Sequence, residues 1–532
     1  MSPDKNNMKR NRRFYIILIA CIFCVYMALL LVLIKVEIPN KNSTINTIGD
    51  AVWYSIVTLT TVGYGDITPG TLAGRMVGLI FLLLSTGILV TLVSTVLSFM
   101  TSEGLPLFLL SFKRKRDWYY FADTGLESNT LAGQIYAENP SAVIIFGCNK
   151  SSREETPDFP CTYANVSPER IAKRKRDVGS RCRVFFMTEN DIGQNPRAVN
   201  ISALPVDVYA RTTSGEDNLP GAVHFFHSYD CCAREYWRNQ PLKANEHTIV
   251  LLGFGNYGQA LLTRAILGNV ISPEQRVAYH IFGDVGDFLD LHVGLGQVFE
   301  INNLHTHFTG QDSLIFHSAS WSKEHALLES ADRIIICDDD EQAGWDIFWK
   351  LRQFYRVRGD ITLRSNRAVP GVTHFGTDES IYSPENVLRT TLNQVAIAMN
   401  NLYRSGHGAG ALDWDELGDY LRQSKIAASE HLFHKVRILL KDESLTDLNA
   451  ENMTEAFRVY QENIKNTQVL DRYRRIEHLR WLRFYAYYNW SYGPRHDEAL
   501  RQDPRIRAYD ELPEHCKADN DYSWELLGEI SV

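Results

Sequence analysis

The chain has 532 residues, 45% of them hydrophobic and 22% charged, with a net charge of −8; this average excludes a disordered chain, a polytopic transporter or a basic nucleic-acid binder as a description of the whole. At roughly 150 residues per domain the length allows three or four folded units. Charge is unevenly spread: residues 1–116 hold 12 of the 55 basic and 5 of the 63 acidic side chains, a surplus of seven positive charges against fifteen negative ones in the remainder.

The first predicted element is an uncharged run from Phe14 to Ile34, 21 residues, close to the ~20 that cross a ~30 Å hydrocarbon layer as a helix. A signal peptide has a shorter apolar region of about 7–15 residues and a small-residue cleavage site; Lys35, Val36 and Glu37 follow here instead. A second uncharged run, Met76 to Met100, again has a spanning length. Lys5, Lys9, Arg10, Arg12 and Arg13 precede the pair and Lys113 to Arg116 follow it, which predicts that both ends face the cytoplasm. The nine cysteines are odd in number and irregularly spaced, and in a reducing compartment they read as free thiols.

Between the two runs lies Ile48 to Pro69, IGDAVWYSIVTLTTVGYGDITP. Ala51–Thr60 has a helical apolar pattern, and Thr61, Val62, Gly63, Tyr64 and Gly65 alternate glycine with larger residues, as an unusual backbone requires. This segment resembles the potassium-channel pore family, whose filter signature stands unsubstituted at Thr61–Gly65 and is followed by Asp66. The resemblance implies rings of backbone carbonyls and the Thr61 hydroxyl around a dehydrated K⁺, closed by four copies of the chain. It also implies a brace between Trp53 and Asp66, and a gating hinge at Gly87; close helix packing is the alternative reading of that glycine. Val57 stands where some relatives carry glutamate. No arginine-rich helix precedes the pore, so intrinsic voltage sensing is not expected.

After Arg116 the pattern changes to α/β. Trp118–Phe121, Leu126–Glu138 and Ala142–Gly147 read as strand, helix, strand, and Arg183–Met187, Val206–Ala210 and Ala222–His227 as further strands. Cys148–Val178 is polar and read as partly loop. A second α/β pattern opens with HTIVLLGFGNYGQALL: strand Thr248–Leu252, then Gly253, Gly255 and Gly258, a helix to about Leu267, and strand Val277–Phe282 ending at Asp284. That is a dinucleotide fingerprint in its strand–turn–helix context. Gly253, Gly255, Asn256, Tyr257 and Gly258 would hold a phosphate and Asp284 the ribose hydroxyls. Arg333–Cys337, Glu341–Tyr355 and Ile361–Leu363 continue as strand, helix, strand. Following a two-span pore, the two units resemble paired RCK (regulator of potassium conductance) domains, which implies a cytoplasmic gating ring of eight units in a homotetramer. The first unit has FADTGLES with Gly125 alone, so no dinucleotide is expected there. Asp338, Asp339 and Asp340 form a weak candidate divalent site; Ca²⁺ suits such oxygens, but acids at a helix start are favoured without metal, and that reading is preferred.

SGHGAGA, Ser405–Ala411, reads as a flexible joint, followed by a mainly helical module. Glu477-His478, Arg480-Trp481, Trp490-Ser491-Tyr492-Gly493, Asp497, Pro504 and Tyr509-Asp510-Glu511-Leu512 resemble the RyR domain named for ryanodine receptors, with Asn489 where that pattern has glycine. Glu477, Arg480, Trp481, Trp490, Tyr492, Arg495 and Asp497 are its candidate ligand pocket, in which aromatics would stack a purine while Arg480, Arg483 and Arg495 hold phosphates.

The expected architecture is multi-domain: an α-helical two-span pore over 1–112 (spans 14–35 and 75–100, pore helix and filter 48–66), two α/β Rossmann-like RCK units over 113–242 and 243–405, and a RyR-like module over 411–532. The expected protein is a prokaryotic, homotetrameric, K⁺-selective channel, multi-pass in the inner (plasma) membrane with both termini cytoplasmic. Lipid and a nucleotide-type ligand, NAD or an adenine nucleotide, are its expected partners, with no nucleic acid and no enzymatic activity. The alternatives are a membrane-anchored NAD-dependent oxidoreductase, which lacks an evident catalytic constellation, and a nucleotide-binding regulatory subunit of a K⁺ transporter, which would need no filter.

Overall fold

The computed structural model describes all residues except 1–23, 42, 102–103, 114, 148–156, 175–180, 188–205, 213–222, 305–311, 408–411 and 531–532. The chain divides into two compact units, Met1–Phe112 and Lys113–Val532.

In the first unit a helix over 24–37 is followed by Ile48–Leu59, started by a capping box in which Thr47 and Asp50 satisfy each other's backbone amides. The helix Leu72–Thr101, 30 residues, and the short helix Gly104–Ser111 complete it. Leu30, Leu33, Ile45, Ala51, Val77 and Phe81 form its core. No helix among the described residues is long and apolar enough to cross a membrane. The first expected span begins in residues outside the description, as do the basic residues preceding it. The second falls on Leu72–Thr101, where part of the side chains lies outside it.

The second unit contains two parallel sheets. β1 (Trp118–Phe121), β2 (Val143–Phe146), β3 (Cys161–Tyr163), β4 (Cys182–Phe186), β5 (Asp207–Arg211) and β6 (Val223–Phe226) line up in the order β3-β2-β1-β4-β5-β6, the doubly wound arrangement. β7 (Thr248–Leu252), β8 (Ala278–Phe282), β9 (Glu300–Ile301), β10 (Ser313–His317), β11 (Arg333–Ile336), β12 (Asp360–Arg364) and β13 (Thr373–Phe375) repeat it as β13-β12-β11-β7-β8-β10-β9, with β9 as an extra edge. β1, β2 and β11 are buried on both faces, which is why they read as apolar runs. β3, β10 and β13 lie in polar or histidine-bearing stretches that periodicity does not reveal.

The helices Asp419–Leu440, Ala450–Asn463 and Thr467–Tyr487, followed by a two-residue ladder of β14 (Ser491–Tyr492) and β15 (Gln502–Asp503), form the C-terminal module. The expected flexible joint does not isolate it. Helix Gln394–His407 already includes Ser405 to His407, and residues 408–411 lie outside the description. One continuous hydrophobic core holds Leu251, Leu261 and Ile281 of the second sheet layer together with Leu482, Phe484 and Trp490.

The joint is also polar. Buried Arg483 donates to Asp312 Oδ2 at 2.7 Å and to the Asn269 carbonyl at 3.0 Å, while Asp312 Oδ1 accepts from the Val277 amide at 2.9 Å. Asn489 has φ +61°, so the glycine of the related pattern is replaced by a residue tolerated there. Its side chain accepts from the Gly294 amide at 2.9 Å and donates to the Leu291 carbonyl at 2.7 Å. The departure from pattern is a clamp on the segment following Asp284. Arg483 is therefore a structural anchor and not, as expected, near a phosphate.

Candidate functional site

Three places carry the chemistry. The first is the turn after Leu59. Thr61, Gly63 and Gly65 have φ of 59°, 58° and 75°, so every second residue is left-handed and successive carbonyls can turn to one side. Thr61 adopts this region without being glycine, at about 1–2 kcal/mol. Local hydrogen bonds hold it: Thr61 N donates to Thr58 O at 3.1 Å, and Val62 N and Gly63 N donate to Val57 O at 3.1 and 3.3 Å. Trp53 Nε1 donates to Asp66 Oδ2 at 3.3 Å, and the Trp53 ring lies parallel to Tyr64, 6.2 Å between centroids. Trp53 thus stacks on Tyr64 and hydrogen-bonds to Asp66. Gly87 has nothing within 4 Å of where a Cβ would stand, and Thr91 Oγ1 donates to its carbonyl at 2.7 Å.

Sequence reading missed Glu37. Fully buried, its carboxylate accepts from Gly70 N at 2.9 Å, from Thr71 N at 3.0 Å and from the Thr71 hydroxyl. A Cβ on Gly74 would stand 1.8 Å from Glu37 Oε1, and one on Gly78 would stand 2.3 Å from the Tyr54 hydroxyl. These two glycines admit, respectively, the carboxylate and the Tyr54 hydroxyl to the face of the long helix. The available signal was a lone acid closing an apolar run, with Gly70, Gly74 and Gly78 at four-residue spacing downstream.

The second place is the fingerprint turn between β7 and helix Asn256–Gly268. Gly253 has φ +103°, and a Cβ there would meet Asp338 N at 2.6 Å; one on Gly258 would meet Gly253 O at 2.3 Å. These glycines serve close packing of the turn on the end of β11. At the helix start, Asn256 N and Nδ2 donate to Asp339 Oδ2 at 2.9 and 3.0 Å, and Tyr257 N donates to Asp339 Oδ1 at 3.1 Å. A Cβ on Gly255 would lie 2.4 Å from Asp339 Oδ2. A carboxylate of the chain therefore stands where a ligand phosphate would use these amides, and as it stands the turn does not fit a pyrophosphate. Asp284 accepts from Gly286 N at 3.1 Å and is available beside it. The acidic run is likewise accounted for: Asp338 accepts from Asp340 N, Asp340 caps helix Glu341–Phe354 through Gln342 N, and Asp339 caps the fingerprint helix. No group of metal-ligating side chains occurs among the described residues, which corrects the weak divalent candidate. In the first sheet the corresponding turn is closed by Asp123, which accepts from Gly125 N at 3.0 Å and Ser128 Oγ at 2.7 Å.

The third place is the C-terminal module, where the expected pocket divides. Glu477, Arg480 and Trp481 line a cavity of about 220 Å³ together with Lys425, Arg505 and Tyr522. Glu477 is buried between Arg480, at 2.7 Å, and Lys435, at 2.8 Å. These cations hold its carboxyl well below the usual range against the opposing effect of burial, while burial brings Lys435 down to about 8. Burial lowers His478 to about 4 against the opposing effect of its ring nitrogen's hydrogen bond to the Arg507 carbonyl at 2.9 Å. Trp490 is elsewhere, packed against Tyr420, Tyr485 and His496. Tyr492 is exposed under Arg507, and Arg495 is 83% exposed beside Asp497. Trp490, Tyr492, Arg495 and Asp497 thus do not join Glu477, Arg480 and Trp481. Sequence reading missed Lys425, which lies outside the matched motif, and Arg505, which follows Pro504 within it.

Cys24, Cys161, Cys182, Cys231, Cys232, Cys337 and Cys516 are free thiols.

Comparison with known proteins adds a family for the first unit. Residues 13–102 match the family described as ion channel. A voltage-gated potassium channel of Aeropyrum pernix is 44% identical over 61 residues, 12% of this chain and 21% of that protein. The potassium voltage-gated channel subfamily KQT member 3 of Bos taurus is 24% identical over 260 residues, 46% of this chain and 27% of that protein. The chain thus spans between a fifth and about a quarter of the length of these two relatives. Among solved structures, the GsuK channel bound to NAD aligns over 74% of this chain and 86% of its own at 12% identity and a TM-score of 0.36, and GsuK bound to ADP over 69% and 96% at 15% and 0.38. The similarity to the ion-channel family thus lies in residues 13–102, and the two relatives named are potassium channels.

Proposed function

We propose that the protein is a K⁺-selective channel opened or closed by a cytoplasmic ligand, and not an enzyme. The observation that carries this is the turn at Thr61–Asp66: left-handed backbone at every second residue, braced by Trp53 on Tyr64 and Asp66. Rings of carbonyls from four such turns would replace the hydration shell of K⁺. Val62, Tyr64, Leu79, Leu83 and Val90 are exposed on the isolated chain, and so much apolar surface calls for lipid or sister subunits. Together with the ion-channel match, this supports a homotetramer in the membrane, with spans over 14–35 and 75–100.

The two parallel-sheet layers and the C-terminal module form the sensing part. A ligand that favours one of its shapes would act through residues 101–116 on the inner helix, with Gly87 as the point of bending; equal affinity for both shapes would gate nothing. The ligand is of nucleotide type. The fingerprint turn is filled by Asp339, so sensing there requires Asp339 to leave, whereas the Lys425–Arg505 cavity is open. The test is K⁺ flux through purified protein in liposomes. Flux with K⁺ preferred over Na⁺ supports the reading, and none under any nucleotide overturns it.

A further inference from the structure

The cavity in the C-terminal module has a charge balance that the aromatic motif does not suggest. The cations on its wall, with Lys435 behind Glu477, fall into three groups. Arg480 and Lys435 share Glu477. Arg505 pairs with Asp503 at 2.8 Å and more loosely with Asp519 at 3.8 Å. One carboxylate serving two cations is offset by one cation serving two carboxylates. Lys425 remains. It has no hydrogen-bonding or ion-pairing carboxylate among the described residues, and its Nζ lies 4.3 Å from the centroid of the Tyr403 ring. Burial alone lowers its pKa, as expected of a cation left without a counter-charge.

A half-buried ammonium facing a cavity, with no partner anion, is costly unless something supplies the charge. Asp519, 58% exposed and 3.8 Å from Arg505 Nη1, is the carboxylate most readily displaced, which would open the Nη1 edge of Arg505 while Nε and Nη2 stay on Asp503. Arg505 also covers Trp481, at 5.1 Å from the ring centroid, so the indole face is taken and an incoming base has the Tyr522 side of the cavity instead. Neutral His478 on the wall offers no competing charge near pH 7.

We infer that this cavity binds a phosphate monoester of nucleoside-monophosphate size, its phosphate set between Lys425 and Arg505 with Asp519 displaced. The cavity of about 220 Å³ is lined by residues 399–526 alone, which separates this site from the fingerprint turn. The inference rests on the ligand-gated reading and names where and what the ligand is. Arginine and lysine are the usual phosphate partners, the first by its fork and the second as a point charge.

The experiment is calorimetric titration of the full-length protein in nanodiscs with AMP, ribose 5-phosphate, inorganic phosphate and adenosine, alongside K⁺ flux from the same preparation in liposomes. AMP is expected to bind one per chain, and adenosine at least tenfold more weakly, because it lacks the group that Lys425 and Arg505 hold. Ribose 5-phosphate and inorganic phosphate apportion the affinity between sugar and anion. Lys425→Met should weaken AMP at least tenfold, leave adenosine unchanged and keep the melting profile, and Lys425→Arg should restore most of the loss. Equal binding of AMP and adenosine, unchanged AMP affinity in Lys425→Met, or no AMP binding at all would each overturn the inference. AMP binding without K⁺ flux would contradict the channel reading and leave the site standing; K⁺ flux without AMP binding would do the reverse.

Discussion

Asp339→Ala tests whether the fingerprint turn is closed by the chain itself. The substitution removes an acceptor of three hydrogen bonds, from Asn256 N, Asn256 Nδ2 and Tyr257 N, at the start of a 13-residue helix. Asp339 is solvent-exposed, so the cost resembles loss of a helix cap, about 1 kcal/mol within a range of roughly 0.5–2. Any phosphate using the same amides must first give up that contribution. It also meets carboxylate repulsion of about 1 kcal/mol at roughly 4 Å in water. Removing both obstacles adds up to about 2 kcal/mol, or roughly tenfold to thirtyfold in affinity for ADP, since each 1.4 kcal/mol is tenfold. Fluorescent ADP titrated into full-length protein carrying Trp481→Ala, to weaken the second cavity, would read the difference. Gly255→Asp added to Asp339→Ala should put a carboxylate back beside the amides and cancel the gain. Equal ADP affinity with and without Asp339 would refute the reasoning, because the carboxylate would then not compete with ligand.

Trp53→Phe should keep the ring beside Tyr64 and remove only the hydrogen bond to Asp66, about 1 kcal/mol; in bilayer recordings the K⁺ current should become shorter-lived at unchanged single-channel conductance, and an unaltered open lifetime would count against the brace. Arg483→Met leaves the buried Asp312 carboxylate without its guanidinium, a loss of about 3–5 kcal/mol; limited proteolysis should then cut near residues 408–411 and release the module, whereas an unchanged digest would show that the anchor is dispensable. His478 sits near pKa 4 in the fold against about 6.5 unfolded, so between these values the unfolded chain binds more protons. Stability present above pH 6.5 is therefore lost as pH falls toward 4, by roughly 3 kcal/mol for this buried group. His478→Gln should flatten the melting temperature over that window, and an equal slope in the variant would assign the acid sensitivity elsewhere.

Much of the architecture was legible because its causes are local. Strands β1, β2, β7 and β11 are almost wholly apolar, and the turn after Leu59 needs glycine at alternate positions, so each announces itself within a few residues. Trp53 and Asp66 are thirteen residues apart on one helix–turn unit, and the contact expected between them is present. What could not be read depends on chain segments far apart. Asp339 looks like a metal ligand or an ordinary helix-start acid until β11 is laid beside β7, which brings it to the amides of residues 256 and 257. Arg483 sits in an aromatic motif but turns away from it toward Asp312, 171 residues earlier in the chain. Lys425 carries no local signal at all, since an unpaired cation is recognised only when everything around it has been placed. Asn489 shows the reverse case: a departure from the related pattern drew attention to a turn, and the structure makes it the clamp on residues 291–294.

The most direct test of the account is the reversal potential of the reconstituted protein under opposed K⁺ and Na⁺ gradients, measured for wild type and Gly63→Ala. Gly63 has φ +58°, a conformation that alanine adopts only under strain. The wild type should reverse near the K⁺ equilibrium potential, and the variant should lose that preference or conduct nothing. A wild type that does not discriminate K⁺ from Na⁺, or a Gly63→Ala channel as selective as wild type, would contradict the assignment of Thr61–Gly65 as the filter.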